Sequence, residues 1–341
     1  MNNKNTNIKI ASLIEDVFTN CDIKERDKYI VKIYHHLDGE SIKMKELGEE
    51  FGITKEAVRI ILEKNKLKVE SAAGSVAHIF DDLCKETIKQ TPIGFERLKE
   101  SMLQKGFDLE GLNEKSFVSC ISMFSRKNKD SLCIQQVGSG FIICDSNKRG
   151  LVIEIEKQSR NESSKNGYVN TTELSKKLGK NKISVKTQSI IDILNCIDGA
   201  AWISKRNVTF IDSRNKVLTR VKKIAAFRSE VNIKRACDAI NQSISHRDRS
   251  FKDLEPSVLV KIIKLCVDCK VSSTDIIFND KPTVSFSEIE SDIYSLLQSS
   301  GELELMDIEE KISNKYTKAA IYQACSLSPL IVKNKKTYSI V

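Results

Sequence analysis

Three residue pairs in this sequence have the side chains for chemistry: Cys266 and Cys269 in Cys266-Val267-Asp268-Cys269, His35-His36, and Asp81-Asp82. A zinc site needs four ligands, and near the cysteine pair only Cys237 and His246 are open to recruitment. Cys266 also follows Ile262 and Ile263 at helical spacing, so a thiol packed in a core is the plainer reading. His35-His36 falls where a helix should end, and the negative end of a helix favours a cationic imidazole there. Asp81-Asp82 reads as an exposed acidic pair with no basic or histidine partner along the chain. No phosphate-cradling glycine loop and no dinucleotide turn appears. The expectation is a protein with no catalytic residues, no cofactor and no metal. What remains is the chemistry of Lys and Arg, which is the binding of polyanions.

Those basic groups must be held by secondary structure, and the segment from Glu25 to Lys68 shows how. Ile30, Ile33, Tyr34 and Leu37 recur at helical spacing, so a helix is predicted from Glu25 to Leu37, stopped by Asp38-Gly39-Glu40. A second helix follows from about Met44 to Phe51. Gly52 supplies a tight turn, Ile53 plugs the core and Thr54 caps a third helix from Lys55 to about Lys66. Val58, Ile61 and Leu62 face inward on that helix, and Lys55, Glu56, Arg59 and Ile60 face outward near its start. Two packed helices joined by a short turn, with polar side chains at the exposed start of the second, make a helix-turn-helix. Arg and Lys placed there can reach guanine edges or phosphates, and Glu can accept from cytosine.

The run His36-Leu37-Asp38-Gly39-Glu40, followed by Met44-Lys45-Glu46-Leu47-Gly48-Glu49-Glu50-Phe51-Gly52-Ile53-Thr54-Lys55-Glu56-Ala57-Val58-Arg59, resembles region 4 of sigma-70 family factors. In that family the third helix enters the major groove of a promoter element. The resemblance implies base contacts from Lys55, Glu56 and Arg59, with Thr54 at the helix cap. It also allows RNA polymerase as a partner, because region 4 grips a flap element of that enzyme. Two positions differ from the family pattern: Ala57 stands where a basic residue is usual, and Ile60 where glutamine is usual.

After this module a similar order of elements recurs about every 65 residues: three helices and then a strand pair with a polar turn. That order predicts winged-helix modules at 149–215 and 283–341, and weaker ones at 73–148 and 216–282, after an N-terminal segment 1–24 and the helix-turn-helix at 25–72. In the module at 73–148, helices are predicted over Phe95 to Leu103, Leu109 to Leu112 and Glu114 to Phe124. In the module at 149–215, a lead helix and a polar loop (Gln158 to Gly167) precede a helix around Leu174 and Leu178 and a third helix from about Ser184 to Cys196. Trp202 is assigned to the core. Ala201-Trp202-Ile203 and Val208-Thr209-Phe210-Ile211 then form a wing around Ser204-Lys205-Arg206-Asn207. Its candidate DNA contacts are Lys182, Lys186, Thr187 and Gln188 on the third helix and Lys205 and Arg206 on the wing. In the last module Ser287 and Glu290 form a capping box. The candidates there are Lys315, Lys318, Lys333, Lys335 and Lys336, with a plain solvated hairpin tip as the alternative.

Composition fits this reading. The chain has 341 residues and a formal net charge of +9, with only four prolines and fourteen glycines, which favours helices over a turn-rich all-β fold. Ten scattered cysteines, no signal peptide and no apolar run approaching the roughly 20 residues of a membrane span point to a reducing cytoplasm. The expectation is a mainly α, multi-domain protein of the bacterial cytoplasm, associated with the nucleoid. Its predicted role is a DNA-binding transcription regulator whose partner is double-stranded DNA. The alternative is an adaptor whose modules bind proteins such as RNA polymerase.

Overall fold

The computed structural model describes residues 7–37, 42–180, 185–212 and 214–341. The Asp38-Gly39-Glu40 stop, Lys182 and the Ser184 start of the expected third helix lie outside them. The chain is mainly helical with small antiparallel sheets and one short parallel strand pair near its start, and it divides into two units: residues 1–156 with 184–198, and residues 157–183 with 199–341.

The first unit opens with strand β1 (Ile8–Lys9) and helix α1 (Ile10–Thr19), then α2 (Glu25–Tyr34), α3 (Met44–Glu50) and α4 (Lys55–Ala72). Helices α2, α3 and α4 share a small core of Ile30, Ile33, Leu47 and Val58, edged by Met44, Phe51, Ile53 and Leu62. Helix α4 runs beyond the predicted end near Lys66 because its inward stripe continues through Asn65 and Val69, both buried. Asn65 hides in that stripe by donating its amide to the Ile61 carbonyl at 2.9 Å, so it does not read as apolar.

The chain continues through α5 (Ala77–Ile88), β2 (Ile93–Gly94), α6 (Phe95–Gln104), β3 (Phe107–Asp108), α7 (Glu114–Phe124), β4 (Leu132–Val137), β5 (Gly140–Asp145) and α8 (Arg149–Asn166). Phe18, Phe80, Leu98, Phe117, Phe124 and Ile143 are fully or almost fully buried together in its core. The predicted short helix over Leu109 to Leu112 is a turn. Both leucines are buried, but Gly111 adopts φ +84°, which breaks a helix there. The second helical position therefore falls to α6 and the lead position to α5.

Then follow β6 (Val169–Asn170), α9 (Thr171–Lys180), α10 (Thr187–Asn195), β7 (Ala200–Trp202), β8 (Asn207–Phe210), α11 (Lys216–Phe227), β9 (Glu230–Asn232), α12 (Ile233–Ser245), α13 (Pro256–Cys266), β10 (Cys269–Val271) and β11 (Asp275–Phe278). The chain ends with α14 (Glu288–Ser300), β12 (Leu303–Glu304), α15 (Leu305–Ile312), α16 (Lys318–Leu327), β13 (Ile331–Asn334) and β14 (Thr337–Ile340). The predicted polar loop Gln158 to Gly167 is helical almost to its end. Val152 and Ile155 begin the buried stripe of α8, and Ser159, Ser163 and Asn166 complete it. Ser163 is satisfied there by accepting a hydrogen bond from the Phe210 amide at 3.1 Å. A polar inner face hid this half of the helix from a hydrophobicity pattern. Trp202 is half-buried on β7, opposite Val208.

From α5 onward one order recurs: helix, short strand, helix, helix, two-stranded hairpin. The strand order is also constant, β2-β5-β4, β6-β8-β7, β9-β11-β10 and β12-β14-β13. In each sheet the short strand pairs antiparallel with the second hairpin strand, for example Ile93 with Ile143, Val169 with Val208 and Leu303 with Tyr338. The second unit buries one continuous core that includes Val221, Ile240, Ile262, Ile293, Ile321 and Tyr338.

Candidate nucleic-acid interface

The start of α4 is built from the turn upward. Gly48 lets α3 meet that turn, since a Cβ there would lie 2.6 Å from the Ile53 carbonyl oxygen, and Gly52 takes φ +63°. Thr54 caps α4 by accepting from the Ala57 amide at 3.1 Å. Lys55, Glu56, Arg59 and Ile60 are all exposed beyond the cap, with Ile60 at 52%. Arg59 is not idle in this state. Its Nε donates to both carboxylate oxygens of Glu56 at 3.0 Å, and Nη1 reaches Glu63 one turn further on. Hydrogen bonding to Glu56 and Glu63 pushes the Arg59 pKa further up, and hydrogen bonding to Arg59 holds the Glu56 carboxyl below its ordinary value. To grip a guanine, Arg59 must leave two carboxylates.

His35, just past the end of α2, does not behave as the helix dipole alone suggests. Burial, with the charges of His36 and Lys66, lowers its pKa to about 4, so the imidazole is neutral at physiological pH. Desolvation outweighs the dipole. Asp81 is likewise not an exposed acid: it is half-buried and accepts from Ser125 Oγ at 2.5 Å and from the amides of Arg126 and Lys127, both at 3.0 Å. It caps the chain after α7. Among the described residues no group of His, Cys, Asp and Glu is placed to hold a metal. Burial pushes the thiols of Cys84, Cys237 and Cys266 up to about 11 and that of Cys325 to about 12. Protonated thiols of this kind are poor ligands and nucleophiles.

The other candidates are scattered. Lys186 and Gln188 are exposed at the start of α10, and Gln188 leans on Asp192 of the same helix at 3.4 Å. Asp192 is itself buried and holds α10 within the first unit. It accepts from the Gly94 amide at 3.0 Å and from Arg97 Nε at 2.7 Å. Lys205 and Arg206 stand exposed on the turn between β7 and β8. Lys318, at the start of α16, lies 3.5 Å from Glu309, and Lys315 lies 3.1 Å from Asp292. Lys333, Lys335 and Lys336 are exposed where β13 turns into β14, and Lys335 takes φ +53°.

Sequence reasoning missed where the positive charge lies. Residues 1–148 carry 23 basic and 23 acidic side chains, whereas residues 149–282 carry 26 and 15. The last 59 residues carry six and eight, so the whole surplus belongs to the middle of the chain. A running count of charge along the sequence would have found it. Structure adds the detail on α13, whose buried face is Leu259, Ile262 and Ile263 and whose outer face presents Ser257, Lys261 and Lys264. Among the described residues Lys176, Lys180, Lys205, Arg206, Lys261 and Lys264 make no ion pair and are exposed. Comparison of the sequence with protein families and with curated proteins gives no match. No described helix is long and apolar enough to cross a membrane.

Proposed function

We propose that this chain is a non-enzymatic duplex-DNA-binding protein of transcription control, in which the start of α4 reads sequence and the modules over 149–282 hold the phosphate backbone. The observation that carries it is the separation of two surfaces. One is a capped, glycine-turned helix start with Lys55, Glu56 and Arg59 exposed, and the other is a stretch holding the whole positive surplus of the chain. Phosphate contacts give affinity without sequence information, and base-edge contacts give the information. We read the four recurring helix–strand–helix–helix–hairpin units as winged-helix modules, in which the third helix and the hairpin are the usual nucleic-acid surfaces. Modules that are individually weak gain affinity when one chain links them. Such a protein works on the nucleoid of a bacterial cytoplasm.

The test is selection from a random-sequence duplex pool, across a salt series, with the intact chain and a Lys55→Ala, Arg59→Ala variant. Enrichment of a motif that the variant loses, while salt-sensitive binding persists, is the expected result. One feature favours a second reading, a protein-docking adaptor with RNA polymerase as the partner: Arg59 is already clasped by Glu56 and Glu63, beside the exposed Ile60. If the intact chain binds no duplex even at low salt and co-purifies with the polymerase, that reading replaces the first.

A further inference from the structure

A cavity of about 390 Å³ opens in the second unit between α11, α14 and α16. Its size is at the small end of ligand sites, which run from roughly 300 to 1,000 Å³. Its polar wall is made by Thr219, Arg220, Lys223, Arg247, Ser287, Glu290 and Gln323. Lys223 is already engaged, because its ammonium bonds both carboxylate oxygens of Glu290 at 2.6 and 2.7 Å. The carboxylate of Asp248, next to Arg247 in the chain, is shared by Lys216 at 3.6 Å and Lys165 at 3.8 Å. Among the described residues neither Arg220 nor Arg247 has an ion pair.

Arg220 is half-buried and held in one orientation. Its Nε donates to Ser243 Oγ at 3.1 Å and Nη1 donates to the Lys216 carbonyl at 3.3 Å. Both acceptors are neutral, and the guanidinium keeps other donors of its five free. Burial and the neighbouring charge of Arg247 both push the Arg220 pKa below its ordinary value. The Glu290 carboxylate that shares this cavity is taken up by Lys223, so the two guanidiniums have no carboxylate of their own and repel each other. A ligand with two or more negative oxygens turns that repulsion into a clamp, because each planar fork matches such oxygens bidentately.

We infer that this cavity is a binding site for a phosphoryl group, clasped by Arg220 and Arg247 with a hydrogen bond from the Gln323 amide. The group is presented either by a free nucleotide or by a nucleic-acid backbone, and the inference does not rest on sequence reading by α4. The test is calorimetric titration of the full chain with pyrophosphate and with ATP in magnesium-free buffer, repeated in the presence of a short duplex. Saturable binding is expected. Arg247→Ala and Arg220→Lys should each weaken it at least tenfold, the second because an ammonium keeps the charge but loses the fork, and Lys311→Ala, at an exposed lysine outside every candidate site, should leave it unchanged. Competition by the duplex assigns the site to the backbone, and indifference to the duplex assigns it to a free nucleotide. Arg247 is exposed and makes no contact that the fold needs, so its variant decides the matter if the Arg220 variant unfolds. No saturable binding by the unmodified chain, or equal binding by the Arg247 variant, overturns the inference.

Discussion

Residues 25–72 and residues 149–282 handle charge in opposite ways. The first stretch has ten side chains of each sign, and its most prominent arginine turns its fork on two glutamates of its own helix. The second has eleven more basic than acidic side chains, and Lys176, Lys205, Arg206, Lys261 and Lys264 are among its exposed cations that make no ion pair among the described residues. A surface already neutralised gives up little on release of counterions, so the proposed function assigns long-range attraction to the second stretch. The first is suited to short-range discrimination, where an arginine exchanges its own carboxylates only for a partner that offers equally good acceptors. In the proposed function, holding and reading thus fall on different parts of one chain.

Four experiments bear on that division. The largest effect is expected from Lys176, Lys205, Arg206, Lys261 and Lys264 all changed to Ala. Duplex affinity near physiological salt should fall by about two orders of magnitude or more, with the slope of log affinity against log salt shallower by about 0.9 for each phosphate no longer neutralised. An unchanged slope would erase the contrast. Next, Asp192→Ala removes the carboxylate that pins α10 to Gly94 and Arg97, and should cost about 3 kcal/mol in chemical denaturation by stranding a partly covered guanidinium. A loss under about 1 kcal/mol would show that α10 does not depend on this anchor.

Acid should separate the two stretches. The folded pKa of His35 is about 4 against an ordinary 6.5, so the unfolded chain takes up the proton first as pH falls. Stability of the α2 to α4 stretch is complete above pH 6.5 and erodes on the way down to 4, by about 2–3 kcal/mol, and His36 acts in the same direction. Hydrogen exchange at pH 7 and pH 5 would show protection lost in α2 to α4 before α11 to α13, and His35→Gln should flatten the difference. The smallest effect belongs to Glu63→Gln, which frees one amino group of Arg59 and should tighten duplex binding about two- to threefold, in line with the weakness of exposed ion pairs. Weaker binding would show that Glu63 positions Arg59 rather than restraining it.

Where apolar side chains set the pattern, the elements could be read in advance. Helices α2, α3, α6 and α7 and the hairpin β7–β8 fall within a few residues of expectation, as does the capping box at Ser287 and Glu290. The misread halves of α4 and α8 share a cause. Ser159, Ser163 and Asn65 are polar residues turned inward on helices, and the bonds that satisfy Ser163 and Asn65 are announced by no local pattern. Asp81 and His35 were misjudged because burial, not neighbouring sequence, fixes their state. At the candidate interface the residue types on α4 were legible, but the clasp around Arg59 depends on rotamers. The charge imbalance was legible too, and a count over the whole chain averaged it away.

The position of α10 has a consequence for how the protein is made. The chain leaves the first unit after residue 156, returns to supply the stretch ending at residue 198, and leaves again. A ribosome releasing this chain from its N-terminus therefore cannot finish the first unit when residue 156 emerges. β2 and α6 must wait, with Gly94 and Arg97 lacking the Asp192 carboxylate, until about forty further residues have been synthesised. At about 5–20 residues per second that wait lasts seconds, which is long on the scale of folding. No single cut of the gene yields both units whole. A fragment ending before α10 leaves an open seam, which makes it a candidate client for chaperones rather than a convenient domain.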